Sequence, residues 1–392
     1  MFRYQCVVME HVFICPRCGN KDPEKIGVRN GQCYCRACIS FQGKMADRNY
    51  QVKKGIRLEL SYPLSLKQKE ISDAVKEKIQ AGENVLIHAV TGAGKTELVY
   101  QTMEMVLLKG GHVGFATPRK DVVIDLMPRM KEAFKNAKVI GVYGEHNQVL
   151  EGDIIVLTAH QLYRYEKYFD LLIFDEIDAF PYAGNEILKH FFYQSVSGNY
   201  VLLSATPSPM DKDEILKHKG SILHLDERYH GKPLPEPHIV VRSPLSLPIL
   251  VIRLLFSYHR EQKPVFVFVP TIAVGKQLFS LLSLFFKRGM FVSSKEESRR
   301  LSIERFKSGE LSYLVTTSIL ERGVTVKNLQ VIVYRADHDV YDAQSLVQIA
   351  GRAGRKIDAP LGEVYFLCQE ENDEIKKARS IIHGHNRKAN LV

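Results

Sequence analysis

The chain has 392 residues, 45% hydrophobic and 25% charged, with no low-complexity run. That balance excludes a disordered or fibrous class, and the length exceeds what a single core usually holds, so two or three domains are expected. Lysine and arginine number 54 against 44 acidic residues, and the resulting net charge of +10 favours a polyanionic partner. The apolar stretches at 247–256 and 278–286 are broken by Pro248 and Arg253 or closed by Lys287 and Arg288. Both fall short of the ~18 apolar residues of a membrane span. The opening Met1-Phe2-Arg3-Tyr4 lacks an apolar signal core, so the expectation is a cytoplasmic chain with reduced cysteines.

Six of the seven cysteines precede residue 40. Two C-x-x-C pairs, Cys15/Cys18 and Cys35/Cys38, stand sixteen residues apart. Each such turn aims two sulfurs at one point, and two turns close a tetrahedron, the pattern of a structural zinc site. The short loop between them contains Pro23, Gly27 and Gly31 and can form a hairpin but no core of its own, so zinc would supply the missing folding energy. Cys33 is an alternative to Cys35, at the expense of the second C-x-x-C pair. Cys6 and Cys368 read as ordinary buried thiols.

From residue 58 onward the pattern alternates strands and helices. Residues 84–89 (NVLIHA) form a short buried strand, followed by Val90-Thr91-Gly92-Ala93-Gly94 and then Lys95-Thr96 opening a helix. This is a phosphate-binding loop: its glycines let backbone amides approach a phosphate chain. Lys95 would reach the β and γ phosphates of ATP, and the Thr96 hydroxyl would ligate Mg2+. The first glycine of the usual pattern is replaced by Ala89. The apolar strand 170–174 ends in Asp175-Glu176-Ile177-Asp178, where Asp175 would hold magnesium and Glu176 would activate the attacking water. The strand at 199–203 leads into Ser204-Ala205-Thr206.

Prolines at 209, 233, 235, 237, 244 and 248 mark a change of composition, and their density predicts an extended connector without a regular helix. A second α/β pattern follows, with strands at 265–269, 313–317 and 330–334 and a helix at 274–286. It has no phosphate loop. Its chemistry lies in Gln348-Ile349-Ala350-Gly351-Arg352-Ala353-Gly354-Arg355, where two arginines three apart are expected on one helix face. The expected organisation is an N-terminal region at 1–56, a first lobe at 57–207, a linker at 208–237 and a second lobe at 238–392. The fold class is α/β, with two tandem parallel-sheet lobes after a four-cysteine module.

Lys95, Asp175-Glu176 and Ser204-Ala205-Thr206 fall in the order of motifs I, II and III of superfamily 2 helicases, and residues 348–355 resemble motif VI. The resemblance covers about residues 60–370. It implies RecA-like lobes, adenine recognition by Gln68, nucleotide contacts from Thr91, Gly92, Ala93, Gly94 and Gly323, and arginines Arg352 and Arg355 that serve the γ phosphate when the lobes close. It also implies nucleic-acid contacts at Thr117, Pro118, Arg119, Thr158 and Gln161 in the first lobe, and at Thr271 and Thr317 in the second. Thr316 and Arg322 belong with Thr317 and Gly323 in what resembles motif V.

Primosomal replication-restart helicases carry their zinc ligands within the second lobe, whereas here they precede the motor. The N-terminal cysteine module, Asp-Glu-Ile-Asp, the 348–355 segment and Tyr229-His230-Gly231-Lys232-Pro233-Leu234-Pro235 together resemble the ComFA family, competence ATPases of Gram-positive bacteria. That resemblance implies single-stranded DNA as partner, a role in pulling transforming DNA inward, a ComFC-like protein partner, and a cytoplasmic place under the membrane DNA-uptake channel. A homo-oligomer stays open, as do a restart-type helicase, an RNA-remodelling ATPase and an ATP-gated scaffold that does not translocate.

Overall fold

The computed structural model describes residues 13–293, 299–317 and 325–391. The described residues form two compact units, one from residues 13–88 and 95–224, the other from residues 89–94 and those described between 225 and 391. Arg322 and Gly323 lie outside the described residues.

The first unit opens with a hairpin of β1 (Ile26–Arg29) and β2 (Gln32–Cys35). Its turn residues Asn30 and Gly31 both have positive φ, 51° and 76°, which suits the twist of a two-residue hairpin. Next come α1 (Leu66–Gln80), β3 (Val85–Ala89), α2 (Lys95–Leu98), α3 (Tyr100–Leu108), β4 (Val113–Thr117) and α4 (Lys120–Ala133). β5 (Val139–Val142), β6 (Ile154–Thr158), β7 (Phe169–Asp175), α5 (Glu186–Ser195), β8 (Val196–Ser204), α6 (Pro209–Lys217) and β9 (Ser221–Leu225) complete the series. The sheet order is β5-β6-β4-β7-β8-β3-β9. Neighbours from β5 through β3 pair parallel, so their carboxyl ends open on one edge. Residues of β4 and β6 are buried throughout, as a sheet covered on both faces requires.

Part of the stretch expected to be an extended connector is regular. Pro209 stands in the first turn of α6, where a missing N–H leaves no bond unmade. Ser208 caps that helix: its Oγ accepts from Asp211 N at 3.2 Å, and its own N–H donates to Asp211 Oδ2 at 3.0 Å. β9 then joins the first sheet. The prolines at 233, 235 and 237 do lie outside regular structure.

The second unit contains β10 (His238–Val241), α7 (Leu247–Arg260), β11 (Val265–Phe268), α8 (Ile272–Phe285), β12 (Gly289–Val292) and α9 (Arg299–Lys307). β13 (Tyr313–Thr316), β14 (Gln330–Tyr334), α10 (Ala343–Ala350), β15 (Val364–Cys368) and α11 (Asp373–Lys388) follow. Its sheet, β10-β15-β14-β11-β13-β12, is parallel at every pair. Both lobes are therefore doubly wound parallel sheets, as the strand–helix alternation predicts.

Packing in the first unit centres on aromatic rings behind β7 and β8. Phe192 lies edge-on to Phe174, Tyr193 and Tyr200 at 5.5, 5.1 and 5.3 Å between centroids. It is fully buried. Phe192→Ala should lower the unfolding free energy of this unit by roughly 3–5 kcal/mol, read from its denaturant transition. A loss below 1 kcal/mol would show that the ring cluster is not what holds β7 and β8 against α5.

Candidate functional site

β3 ends at Ala89, and the following loop needs the conformational freedom of glycine: Gly92 has φ +82° and Gly94 φ +74°. The loop runs directly into α2, whose first residues are Lys95 and the buried Thr96. Asp175 is the last residue of β7. Glu176 adopts φ +61°, a strained conformation for a side chain with a Cβ. Two acceptors hold it there: its N–H donates to Asp175 Oδ1 at 2.9 Å and to Leu203 O at 3.0 Å. Asp178 accepts from Ser204 Oγ at 2.7 Å and from Thr206 Oγ1 at 3.0 Å. The third strand-end turn is thereby bonded to the acidic one, a link the sequence gives no sign of.

Burial pushes the Asp175 carboxyl up to about 7, Glu176 and Asp178 add to that push, and Lys95 opposes it. Crowded, desolvated carboxylates need a cation, and an all-oxygen donor set of Asp175 with the Thr96 hydroxyl fits a hard divalent ion such as magnesium. Gln68 is buried, and its Oε1 accepts from Ser65 N at 2.9 Å as half of the capping box of α1.

Thr117 closes β4 and Thr158 closes β6, and the two are register partners at the sheet's carboxyl edge. Pro118 follows Thr117, and Arg119 takes the N-cap of α4. Gln161 turns inward: it is buried, and its Oε1 accepts from Arg164 Nε at 2.7 Å. In the second unit, Thr271 and Thr317 follow the adjacent parallel strands β11 and β13. Thr271 Oγ1 caps α8 by accepting from Val274 N at 3.2 Å, and the Thr317 carbonyl accepts from Thr316 Oγ1 at 3.1 Å.

Cys15, Cys18, Cys35 and Cys38 are all buried, and their sulfurs lie within 4.8 Å of one another. Four convergent thiols in this arrangement match the donor chemistry of a closed tetrahedral site. Cys33 lies outside the cluster, so the four ligand candidates are those of the two C-x-x-C pairs. The cysteine module is fastened to the segment after β6. Phe41 lies edge-on to Tyr163 and Phe191 at 5.5 and 5.0 Å. Arg164 Nη1 donates to Lys44 O at 2.7 Å, and Tyr163 OH donates to Gln42 O at 2.5 Å.

In the second unit α10 ends at Ala350, so Arg352 and Arg355 stand in the following turn and not on a helix face as expected. Gly351 is the C-cap of the helix, and Gly354, at φ +62°, turns the chain three residues further on. Arg352 is buried, and Arg355 Nε donates to Gly351 O at 2.9 Å. The sequence reading missed Arg228, which is buried beside both this turn and Gly92. A single arginine in a proline-rich stretch carries no motif that would single it out.

Residues 61–209 match the family Type III restriction enzyme, res subunit, and residues 248–356 match the helicase conserved C-terminal domain. Competence protein ComFA of Streptococcus pneumoniae is 34% identical over 96% of this chain and 91% of its own length. Competence protein ComFA of Bacillus subtilis is 33% identical over 96% of this chain and 86% of its own length. Among solved structures, S. cerevisiae Dbp5 bound to RNA and ADP BeF3 aligns with TM-score 0.62 and 14% identity, over 84% of this chain and 92% of that one. Two RecA-like lobes with these domain matches define an ATP-hydrolysing, helicase-like enzyme of superfamily 2. Within that class, the chain belongs to the ComFA family of competence proteins. Among the described residues, no helix is long and apolar enough to cross a membrane.

The bonds from Ser204 and Thr206 to Asp178 predict energetic coupling. In a double-mutant cycle of Asp178→Asn and Thr206→Val, followed by denaturant unfolding, the coupling should be about 1–3 kcal/mol, the range for hydrogen bonds to a charged group. Additive effects would show that the two turns are merely neighbours.

Proposed function

We propose that this chain is a single-stranded-DNA-dependent translocase that draws transforming DNA into the cytoplasm during competence. Its membership of the ComFA family along nearly the whole chain supports this reading most strongly. The set Lys95, Asp175 and Glu176 at one sheet edge supports the hydrolytic step. Single-stranded DNA is the proposed track, contacted through Thr117, Pro118, Arg119 and Thr158 and, in the second unit, Thr271 and Thr317. Gln161 acts from behind, as a support for its segment. A ComFC-like protein and the membrane uptake channel are the proposed assembly partners, with the chain on the cytoplasmic side.

Lys95 neutralises charge on the β and γ phosphates, and the loop amides of residues 91–94 orient them. Gln68 holds the adenine. Magnesium held by Thr96 and Asp175 would offset phosphate charge when bound. Glu176 accepts a proton from the attacking water. Arg352 and Arg355 stabilise charge that builds on the γ phosphate, with Gly323 and its neighbours linking that step to the track. A ligand shifts a two-state equilibrium only by its differential affinity, so DNA must bind the hydrolysis-competent state more tightly than the resting one.

Single-stranded DNA should therefore raise ATP turnover by roughly tenfold or more, within the usual range of coupling energies. DNA affinity should fall steeply with salt, because backbone phosphates dominate such contacts. Lys95→Ala should abolish turnover while DNA affinity without nucleotide stays within about twofold, since the loop is assigned to the nucleotide. Equal turnover with and without DNA in the intact chain would replace the motor with a scaffold. Hydrolysis without directional movement along the strand would leave an ATP-gated switch.

The cysteine cluster is proposed to hold one structural zinc. Purified chain should carry about one zinc ion, and Cys15→Ser with Cys18→Ser should remove it. Backbone hydrogen exchange in residues 159–164 should then rise, since Gln42, Lys44 and Phe41 anchor that segment, while nucleotide binding persists. Full zinc occupancy in the double variant would exclude these ligands.

A further inference from the structure

Between residues 13 and 40 the cysteine module carries five basic residues, Arg17, Lys21, Lys25, Arg29 and Arg36, against two acidic ones, Asp22 and Glu24. Three of the five share one face of its hairpin. Gly27 pairs with Tyr34, and Arg29 with Gln32, across β1 and β2. Residues opposite each other in an antiparallel pair lie on the same face, and alternate residues along a strand return to it. Lys25 and Arg36 continue that alternation just beyond the strands, where Arg36 N donates to Lys25 O at 2.7 Å. Ile26, Val28, Cys33 and Cys35 take the other face, and Cys35 is one of the four clustered thiols. The face turned away from the sulfurs is therefore built from Lys25, Gly27, Arg29, Gln32, Tyr34 and Arg36.

Tyr34 is the centre of that face. A Cβ added at Gly27 would lie 2.5 Å from Tyr34 Cζ, 2.6 Å from Cε1 and 2.7 Å from the hydroxyl oxygen. Gly27 is buried beneath the ring, and only a residue without a Cβ leaves the phenol end room to lie across the backbone. The ring is thus supported from below while Tyr34 stays 37% exposed. The Arg36 guanidinium stands 6.0 Å from the ring centroid. Lys25, Arg29, Gln32 and Arg36 are all exposed. Lys25 has Asp22 at 3.5 Å, whereas no carboxylate pairs with Arg29 or Arg36 among the described residues. A ring fixed on one side, open on the other and flanked by unpaired guanidinium groups suits a single strand, which needs a π surface for a base and cations for the phosphates beside it. Holding the ring in place beforehand spares part of the cost of ordering a side chain on binding. The face has no exposed aliphatic side chain with which to enter a lipid surface.

We propose that this hairpin face docks single-stranded DNA, with a base stacked on Tyr34 and the adjoining backbone phosphates on Lys25, Arg29 and Arg36. The cysteine module then gives the first unit a second grip on the strand, in addition to the residues at the sheet edge. The inference rests on single-stranded DNA being the track.

The test uses the full chain and oligothymidylate. The sequence contains no tryptophan, so Tyr34→Trp places a single indole on this face. Saturating oligothymidylate should quench its emission, because a base stacks on it directly. Tyr34→Ala should weaken oligothymidylate binding by about fivefold to a hundredfold, the worth of one base stack, with zinc content and DNA-free ATP turnover unchanged. Arg29→Gln with Arg36→Gln should lower the slope of log affinity against log salt by about 1.4, the share of two phosphates on a single strand. If Tyr34→Ala loses zinc, the indole signal and the salt slope decide. An indole that does not respond at saturation, or unchanged affinity in Tyr34→Ala, would overturn the proposal. Quenching by phosphatidylglycerol vesicles and not by oligothymidylate would overturn it in favour of a lipid surface. If the intact chain binds no oligothymidylate at all, the single-stranded-DNA reading has failed and this face with it; if it binds while the indole stays silent, only the face has failed.

Discussion

Crowded, partly buried charge governs the functional half of this molecule. Asp175 sits at the end of a mostly apolar strand, with Glu176 and Asp178 close enough to raise its affinity for a proton and Lys95 opposing them. A carboxylate so placed is held in check only by a cation or a proton. The surrounding structure arranges the response. Parallel strands bring the loops after β3, β7 and β8 to one edge, and Ser204 and Thr206 use their hydroxyls on Asp178.

The positive side of the account has the same logic. Arg228 is a large buried cation whose partners are neutral carbonyls, and its neighbour Arg355 repels it. The strain at Glu176, with φ +61°, belongs to the same economy of local sacrifice at the reacting edge.

The cysteine module acts on a different part of the first unit. Its aromatic and hydrogen-bonded contacts fall on residues 159–164 and on α5, away from the strand ends that carry Lys95 and Asp175 along the chain. A small hairpin without a core gains rigidity from four sulfurs and transmits it through Phe41, Gln42 and Lys44. Gln161, which in the sequence looks like a nucleic-acid contact, is buried in that segment and accepts from Arg164 Nε.

Much of this was written locally in the chain. The run of buried strand residues before the phosphate loop, the Lys95-Thr96 pair, the acidic end of β7 and the C-x-x-C spacing are short-range patterns, because each depends on neighbours within one turn or strand. The doubly wound class followed from strand–helix alternation for the same reason. Tertiary structure alone decided the rest. Pro209 begins a helix because its position in the first turn needs no N–H. Arg352 and Arg355 fall beyond the helix, which ends at Ala350 with Gly351 as its C-cap. Asp178 found Ser204 and Thr206, and Arg228 found Gly92 and Ala353, across separations of 26 to 136 residues. Such contacts are set by how sheets and loops pack, and buried polar groups must find partners wherever packing leaves them. No local pattern in the sequence records where that will be.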